Sequence, residues 1–137
     1  MKTKFRAWHK TEKKMCEVSL INFDKGAFLI GVKKGEDEYI EGGKKIVIAP
    51  EDGRFCEWNE FDLIQFTGLK DKNGVEIYEF DIVAIDNEEN PVITKCIYEP
   101  GYFTLLDSAG GSWTRQLFHQ QERLEVVGNR FENPELL

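Results

Sequence analysis

Phe66-Thr67-Gly68-Leu69-Lys70-Asp71-Lys72-Asn73-Gly74-Val75-Glu76-Ile77-Tyr78-Glu79-Phe80-Asp81-Ile82-Val83-Ala84-Ile85 decides the fold of this chain. An apolar stretch enters, a turn signal follows at Asn73-Gly74, a Tyr-Glu-Phe-Asp bend comes next, and a run of Ile and Val leaves. Asn-Gly supplies the positive φ angles that a tight hairpin needs. The flanking β-branched and aromatic residues suit a pleated, half-buried surface. This order belongs to a small β-barrel and not to an enzyme active site.

The same alternation of short apolar runs and turn signals extends outward. Leu63–Phe66, Ile82–Ile85, Val92–Tyr98, Tyr102–Leu106 and Leu124–Gly128 read as strands, with turns at Glu88–Pro91 and Pro100-Gly101. Upstream, Lys4–Trp8, Met15–Phe23, Phe28–Val32 and Ile46–Ile48 read as strands. The charged, glycine-rich segment Lys33–Lys45 reads as a flexible hairpin or mobile loop. The stretch Glu51–Glu60 reads as a connection. One helix is expected over Trp113–Glu122, with Ser112 as its cap and Trp113, Leu117 and Phe118 on one face. Asn133–Leu137 reads as a surface strap. Closely spaced strands and turns predict a mainly β protein. Two segments are expected: an N-terminal β segment over residues 1–61, packed on a C-terminal barrel over 62–137.

The chain has 137 residues, ten of them Phe, and 41% of its residues are hydrophobic, enough for a real core. The formal net charge is -7. Such acidity disfavours general nucleic-acid binding, which needs Lys and Arg to neutralise phosphates. The charge is uneven: residues 1–34 carry nine Lys or Arg against three acids, and the remainder nine against 22. Oppositely charged surfaces facing each other within or between subunits account for this, as does a basic end that meets an acidic partner. Cys16, Cys56 and Cys96 form no CxxC pair, and their equal spacing is not matched by their flanks; buried thiols of a cytoplasmic protein are expected. The opening Met-Lys-Thr-Lys-Phe-Arg lacks the apolar stretch of a signal peptide, and no apolar run is long enough to span a bilayer.

Groups that carry chemistry are sparse. His9 and His119 have no Cys or His at zinc spacing. Asp71-Lys72-Asn73-Gly74 does not meet the register of a calcium loop. Ser108 and Ser112 flank Ala109-Gly110-Gly111 without the order of a nucleophile elbow, although Asp107 and His119 lie nearby in sequence. The acids Glu57, Glu60 and Asp62, and Glu76, Glu79 and Asp81, read as solvated or structural, with Asp81 accepting backbone N–H bonds in its turn. No phosphate-binding glycine loop is present. The chain is therefore expected to be non-catalytic and without a cofactor. Phe5, Arg6, Trp8, Lys10 and Phe80 make a candidate interaction surface. Phe5, Arg6, Trp8 and Lys10, with Lys13 and Lys14, also resemble the aromatic and basic lining of a single-strand binder, the alternative reading being that Phe5 and Trp8 are core.

Lys4-Phe5-Arg6-Ala7-Trp8 with Lys13-Lys14-Met15, then Phe66–Gly74, Ile77–Val83, Val126-Val127-Gly128-Asn129 and Glu132–Leu137 together resemble the YopX family of bacteriophage and prophage proteins. The resemblance implies an SH3-like barrel in the C-terminal half, a cytoplasmic place in a bacterial host, and a protein partner or self-association. It carries no catalytic residues. The family usually has an acid in place of His9 and Gly in place of Phe80. The second departure puts Phe80 either in a relaxed turn or on the surface, where it would pack on another subunit.

Overall fold

The computed structural model describes residues 4–22, 27–30, 38–41, 44–47, 54–57, 61–86 and 90–137. The expected Lys33-Lys34-Gly35 turn and the breaks at Ala49-Pro50 and Glu88-Glu89 lie outside these residues. The protein is mainly β, with one short α-helix among the described residues. It divides into two compact units, Lys4–Leu63 and Ile64–Leu137.

In the first unit, β1 (Phe5–His9), β2 (Lys14–Asn22), β3 (Ala27–Ile30) and β6 (Arg54–Glu57) are joined by antiparallel pairing in the order β6-β3-β2-β1. A bulge between Val18 and Leu20 bends β2. The glycine-rich charged segment contains a hairpin of β4 (Glu38–Glu41) and β5 (Lys44–Val47), with Glu38 opposite Val47 and Glu41 opposite Lys44. Residues 54–57 were expected in a connection and instead form β6, where Phe55 and Cys56 pair with Leu29 and Phe28. The acids Glu51, Asp52, Glu57 and Glu60 in and around it hid this strand from a reading of hydrophobic alternation.

The second unit holds most of β7 (Phe61–Lys70), which pairs with β8 (Glu76–Tyr78), and an antiparallel sheet in the order β11-β10-β9-β12. The sheet strands are β9 (Asp81–Ile85), β10 (Val92–Glu99), β11 (Tyr102–Asp107) and β12 (Leu124–Asn129). Every residue of β9 is buried, which explains its unbroken Ile-Val-Ala-Ile run: a strand covered on both faces does not alternate. In β10 the alternation survives, with Thr94 and Cys96 inside and Ile93 37% exposed. Ile77, Val83, Ile85, Cys96, Phe103, Leu105, Leu117 and Leu124 form one core cluster. Each fully buried Ile or Leu there contributes about 1.5–3 kcal/mol.

The helix α1 runs over Thr114–His119, shorter than expected, and a 3-10 turn over Gln121–Arg123 follows. Leu117 is fully buried whereas Phe118 is 38% exposed. Adjacent helical residues point about 100° apart, so the two do not share the narrow face of so short a helix. Ser112 does not cap it: Trp113 holds the cap position without a side-chain bond. The Ser112 hydroxyl instead meets those of Thr104 and Thr114, each at 3.0 Å.

Candidate functional site

The motif-bearing bends contain nearly all the side chains that sequence reasoning weighed for chemistry. At the start of the deciding stretch, Gly68 has φ 88° and sits in a bulge of β7, between the pairs Phe66–Tyr78 and Lys70–Glu76. The Thr67 hydroxyl fills that irregularity, donating to the Ile77 carbonyl at 2.7 Å and accepting from the Leu69 amide at 3.2 Å. A buried hydroxyl is tolerated because both its roles are used.

The turn that follows is not the tight two-residue hairpin expected from Asn73-Gly74. Gly74 alone takes positive φ, at 79°, and Asn73 does not. Three residues, Lys72 to Gly74, loop between a paired Asp71 and Val75, with the Asp71 amide donating to the Val75 carbonyl at 2.8 Å. This is the three-residue connection in which an αL residue closes a type I turn. The Asp71 carboxylate selects it: Oδ1 accepts from the amides of Asn73 at 2.8 Å and Val75 at 2.9 Å. Its Oδ2 accepts from the Val126 amide at 2.9 Å, and the Lys72 amide donates to the Leu124 carbonyl at 3.0 Å. The turn is thus stitched to the edge of β12. The Lys72 ammonium adds contacts to Glu125 at 3.2 Å and Asp86 at 3.3 Å, and these hold its pKa above the ordinary lysine value, Glu125 contributing most.

The second bend behaves as the sequence predicts at Asp81, whose buried Oδ2 accepts the Tyr78 amide at 2.8 Å. Phe80 departs from expectation. It is neither in a relaxed turn nor a bare surface aromatic, because its φ is 66° and it is half-buried. Its amide donates to the Cys96 carbonyl and its carbonyl accepts from the Arg130 amide. The Arg130 guanidinium lies 3.6 Å from the Phe80 ring centroid, and Phe131 meets that ring edge-on at 5.7 Å. A left-handed conformation costs about 1–2 kcal/mol. The cation–π contact contributes about 0.5–2 kcal/mol and the aromatic pair about 0.5–1.5 kcal/mol. The ring's own neighbours therefore offset the strain. Neighbouring Glu79 has its pKa raised, chiefly by burial, against the opposing charge of Arg130 and backbone hydrogen bonds from Gln65 and Tyr98. Burial, then the charges of Asp81 and Glu79, push the Cys96 thiol far up, so it is unreactive at neutral pH.

Asp107, Ser108 and His119 serve no common centre. Asp107 Oδ1 accepts from Ala109 at 2.9 Å and Gly111 at 2.7 Å, while Oδ2 accepts the Trp113 indole N–H at 2.9 Å. The Trp113 bond, then that of Gly111, lowers the Asp107 pKa. Ser108 and His119 are exposed. Gly111 is close-set: a Cβ there would collide with the Asp107 carboxylate. The Gly128-Asn129 motif has a similar reason, since a Cβ on Gly128 would strike the Asn133 side chain. Asn129 Oδ1 accepts the amides of Phe131 at 3.0 Å and Glu132 at 2.9 Å.

The N-terminal surface candidates separate. Trp8 is 6% exposed and belongs to the interior, so it is removed from that surface. Phe5 and Arg6 are half-buried and Lys10 is exposed, 3.9 Å from Asp62. His9 is buried, and its Nδ1 accepts from the amides of Thr11 at 3.2 Å and Glu12 at 3.0 Å. The imidazole lone pair thus does what a carboxylate does in this kind of turn. Among the described residues no group of three or more His, Cys, Asp or Glu is placed to hold a metal ion, and no helix is long and apolar enough to cross a membrane.

Sequence reasoning missed two exposed aromatics, Tyr98 at 52% and Tyr102 at 48%, at the end of the β10–β11 hairpin. The Tyr98 ring rests on Phe103 at 5.1 Å, and its hydroxyl accepts the Gly101 amide at 3.3 Å. The Pro100-Gly101 signal located this hairpin, but strand alternation singled out neither tyrosine as a surface residue.

The YopX family model (YopX protein) matches residues 4–137. Among solved structures, protein EF1440 from Enterococcus faecalis is similar at 30% identity and a TM-score of 0.69, covering 100% of this chain and 99% of its own. Protein YopX from Bacillus subtilis has the same fold at 21% identity and a TM-score of 0.61, again over 100% of this chain and 99% of its own. No curated protein matches the chain.

Proposed function

The chain belongs to the YopX family, and from that premise we propose that it is a non-catalytic interaction module encoded by a phage or prophage. It works in the cytoplasm of the bacterial host, and its C-terminal unit serves as an SH3-like platform for a second copy or another protein. One contrast carries this reading. The carboxylates with chemistry to offer are bonded to the protein's own backbone amides at Asp71, Asp81 and Asp107. Two large aromatics at one hairpin end, Tyr98 and Tyr102, are about half exposed. Aromatic side chains are enriched at protein interfaces.

Sedimentation across a range of concentrations tests self-association, and capture from phage-infected host cells tests for another protein partner. Tyr102→Ser is the sharper variant, because Tyr98 also braces the Pro100-Gly101 turn. It should abolish the association or the capture without moving the melting temperature. Undiminished binding by this variant counts against the hairpin end, and a strictly monomeric protein that captures nothing counts against the module.

A second reading rests on the exposed Lys10, Lys13 and Lys14 at the β1–β2 turn: a nucleic-acid-binding accessory protein that uses its basic N-terminal strand. Binding to single-stranded DNA that weakens steeply with salt and vanishes in a Lys10/Lys13/Lys14→Glu variant favours it. The buried Trp8 and the acidic balance weigh against it.

A further inference from the structure

We propose that Asn73 is a self-modification site, an asparagine that closes onto the Gly74 amide to form a succinimide and is held back in the folded chain by the Asp71 clamp. Three observations converge. Of the seven asparagines, Asn73 alone precedes glycine. Both residues are exposed. The space a Cβ would occupy at Gly74 is open, with nothing within 4 Å. Gly74 itself carries no side chain to hinder the approach of the Asn73 carboxamide to its nitrogen.

In the reaction the Gly74 N–H gives its proton to a solvent base. The nitrogen bonds to the Asn73 Cγ, the Cγ–NH2 bond breaks, and the departing NH2 takes a proton from the protonated base and leaves as ammonia. Water then opens the imide. Attack at one carbonyl gives aspartate, and attack at the other gives isoaspartate, with the main chain rerouted through Cβ and Cγ. No oxidant or reductant enters.

The Asp71 loop opposes the first step. The Gly74 N–H donates to the Asp71 carbonyl at 3.0 Å, which holds the proton that must leave. The amides on either side, of Asn73 and Val75, are pinned on Asp71 Oδ1. Both peptide planes around the reacting bond are thereby fixed. Reaction is confined to molecules in which the loop opens. The product acts back on the clamp: the extra main-chain methylene of isoaspartate spoils the spacing that lets one carboxylate hold Asn73, Val75 and, through Oδ2, Val126. One spontaneous event at an exposed turn thus detaches that turn from β12.

Full-length protein incubated at mildly alkaline pH, with and without urea, tests the proposal by peptide mapping. The mass gained when NH2 becomes OH separates this product from isomerisation at Asp52-Gly53. The expected result is isoaspartate and aspartate at position 73 ahead of the other six asparagines. The rate should rise roughly tenfold or more in urea, where every molecule is open. Asp71→Asn should react at an intermediate rate. An earlier product at another asparagine overturns the site. Equal rates in buffer and urea, or an Asp71→Asn variant that folds and reacts no faster than the parent, overturn the clamp.

Discussion

Two loops of the C-terminal unit are nearly the same object. In Asp71–Val75 and in Asp107–Gly111, an aspartate Oδ1 accepts the amides two and four residues on. The fourth residue of each is a glycine at positive φ, 79° at Gly74 and 83° at Gly110. The aspartate's own amide and carbonyl close both loops in the same pattern. The loops differ in the second carboxylate oxygen. That of Asp71 reaches the Val126 amide 55 residues away, whereas that of Asp107 stays local on the Trp113 indole. Burial follows the same division, with Asp71 6% exposed and Asp107 only half-buried. A turn motif thus sets the bend, and one further acceptor decides whether the bend also ties the sheet together.

The largest expected effect follows from this difference. Asp71→Ala strips three part-buried amides of their acceptor and should cost about 3 kcal/mol in urea denaturation. Asp107→Ala should cost clearly less, because its donors remain near solvent. Equal losses from the two variants would break the comparison. Asp81 stands between them, with the Tyr78 amide on a buried oxygen; Asp81→Ala should lower stability by about 1 kcal/mol, and an unchanged midpoint would remove it from the architectural set.

A smaller effect of opposite sign is expected beside it. The Glu79 pKa is raised in the folded protein, mainly by burial, so its ionisation opposes folding once pH exceeds that raised value. Glu79→Gln should therefore stabilise at neutral pH. The gain should fade as pH falls through the raised value and vanish below the ordinary carboxylate range, where the glutamate is protonated in folded and unfolded chains alike. A variant that destabilises equally at all pH values would show that the carboxylate's hydrogen bonds outweigh its burial. The smallest change concerns Asp107, whose pKa is lowered by Trp113 first. Its contribution is present above the ordinary carboxylate pKa and is lost as pH falls through the lowered one. The Trp113 indole N–H resonance should hold its position through mild acid and move only below that range.

Much of the fold was legible because turn chemistry is local. Gly68, Gly74 and Gly101 mark positive-φ positions, and the Ile-Val-Ala-Ile run marks the covered strand β9. What escaped reading depends on partners distant in sequence. Nothing near Asp71 announces Val126, and Asn73-Gly74 alone cannot tell a two-residue hairpin from a three-residue one. Phe80 shows the same limit: its strained backbone is supported by Arg130 and Phe131, fifty residues on. At the candidate surface, Trp8 is buried, and Tyr98, which was no candidate, is exposed. Strand alternation assigns a face but not how far the covering layer extends, and Tyr98 lies at a hairpin end beyond it.

Asp71 is the tie between the turn and the final strand. Amide hydrogen exchange at Val126 in the parent protein and in Asp71→Asn measures that tie directly. The account predicts a protected Val126 amide that loses much of its protection in the variant while Cys96 and Leu105, in the core strands, keep theirs. An equally protected Val126 amide in both proteins would contradict it.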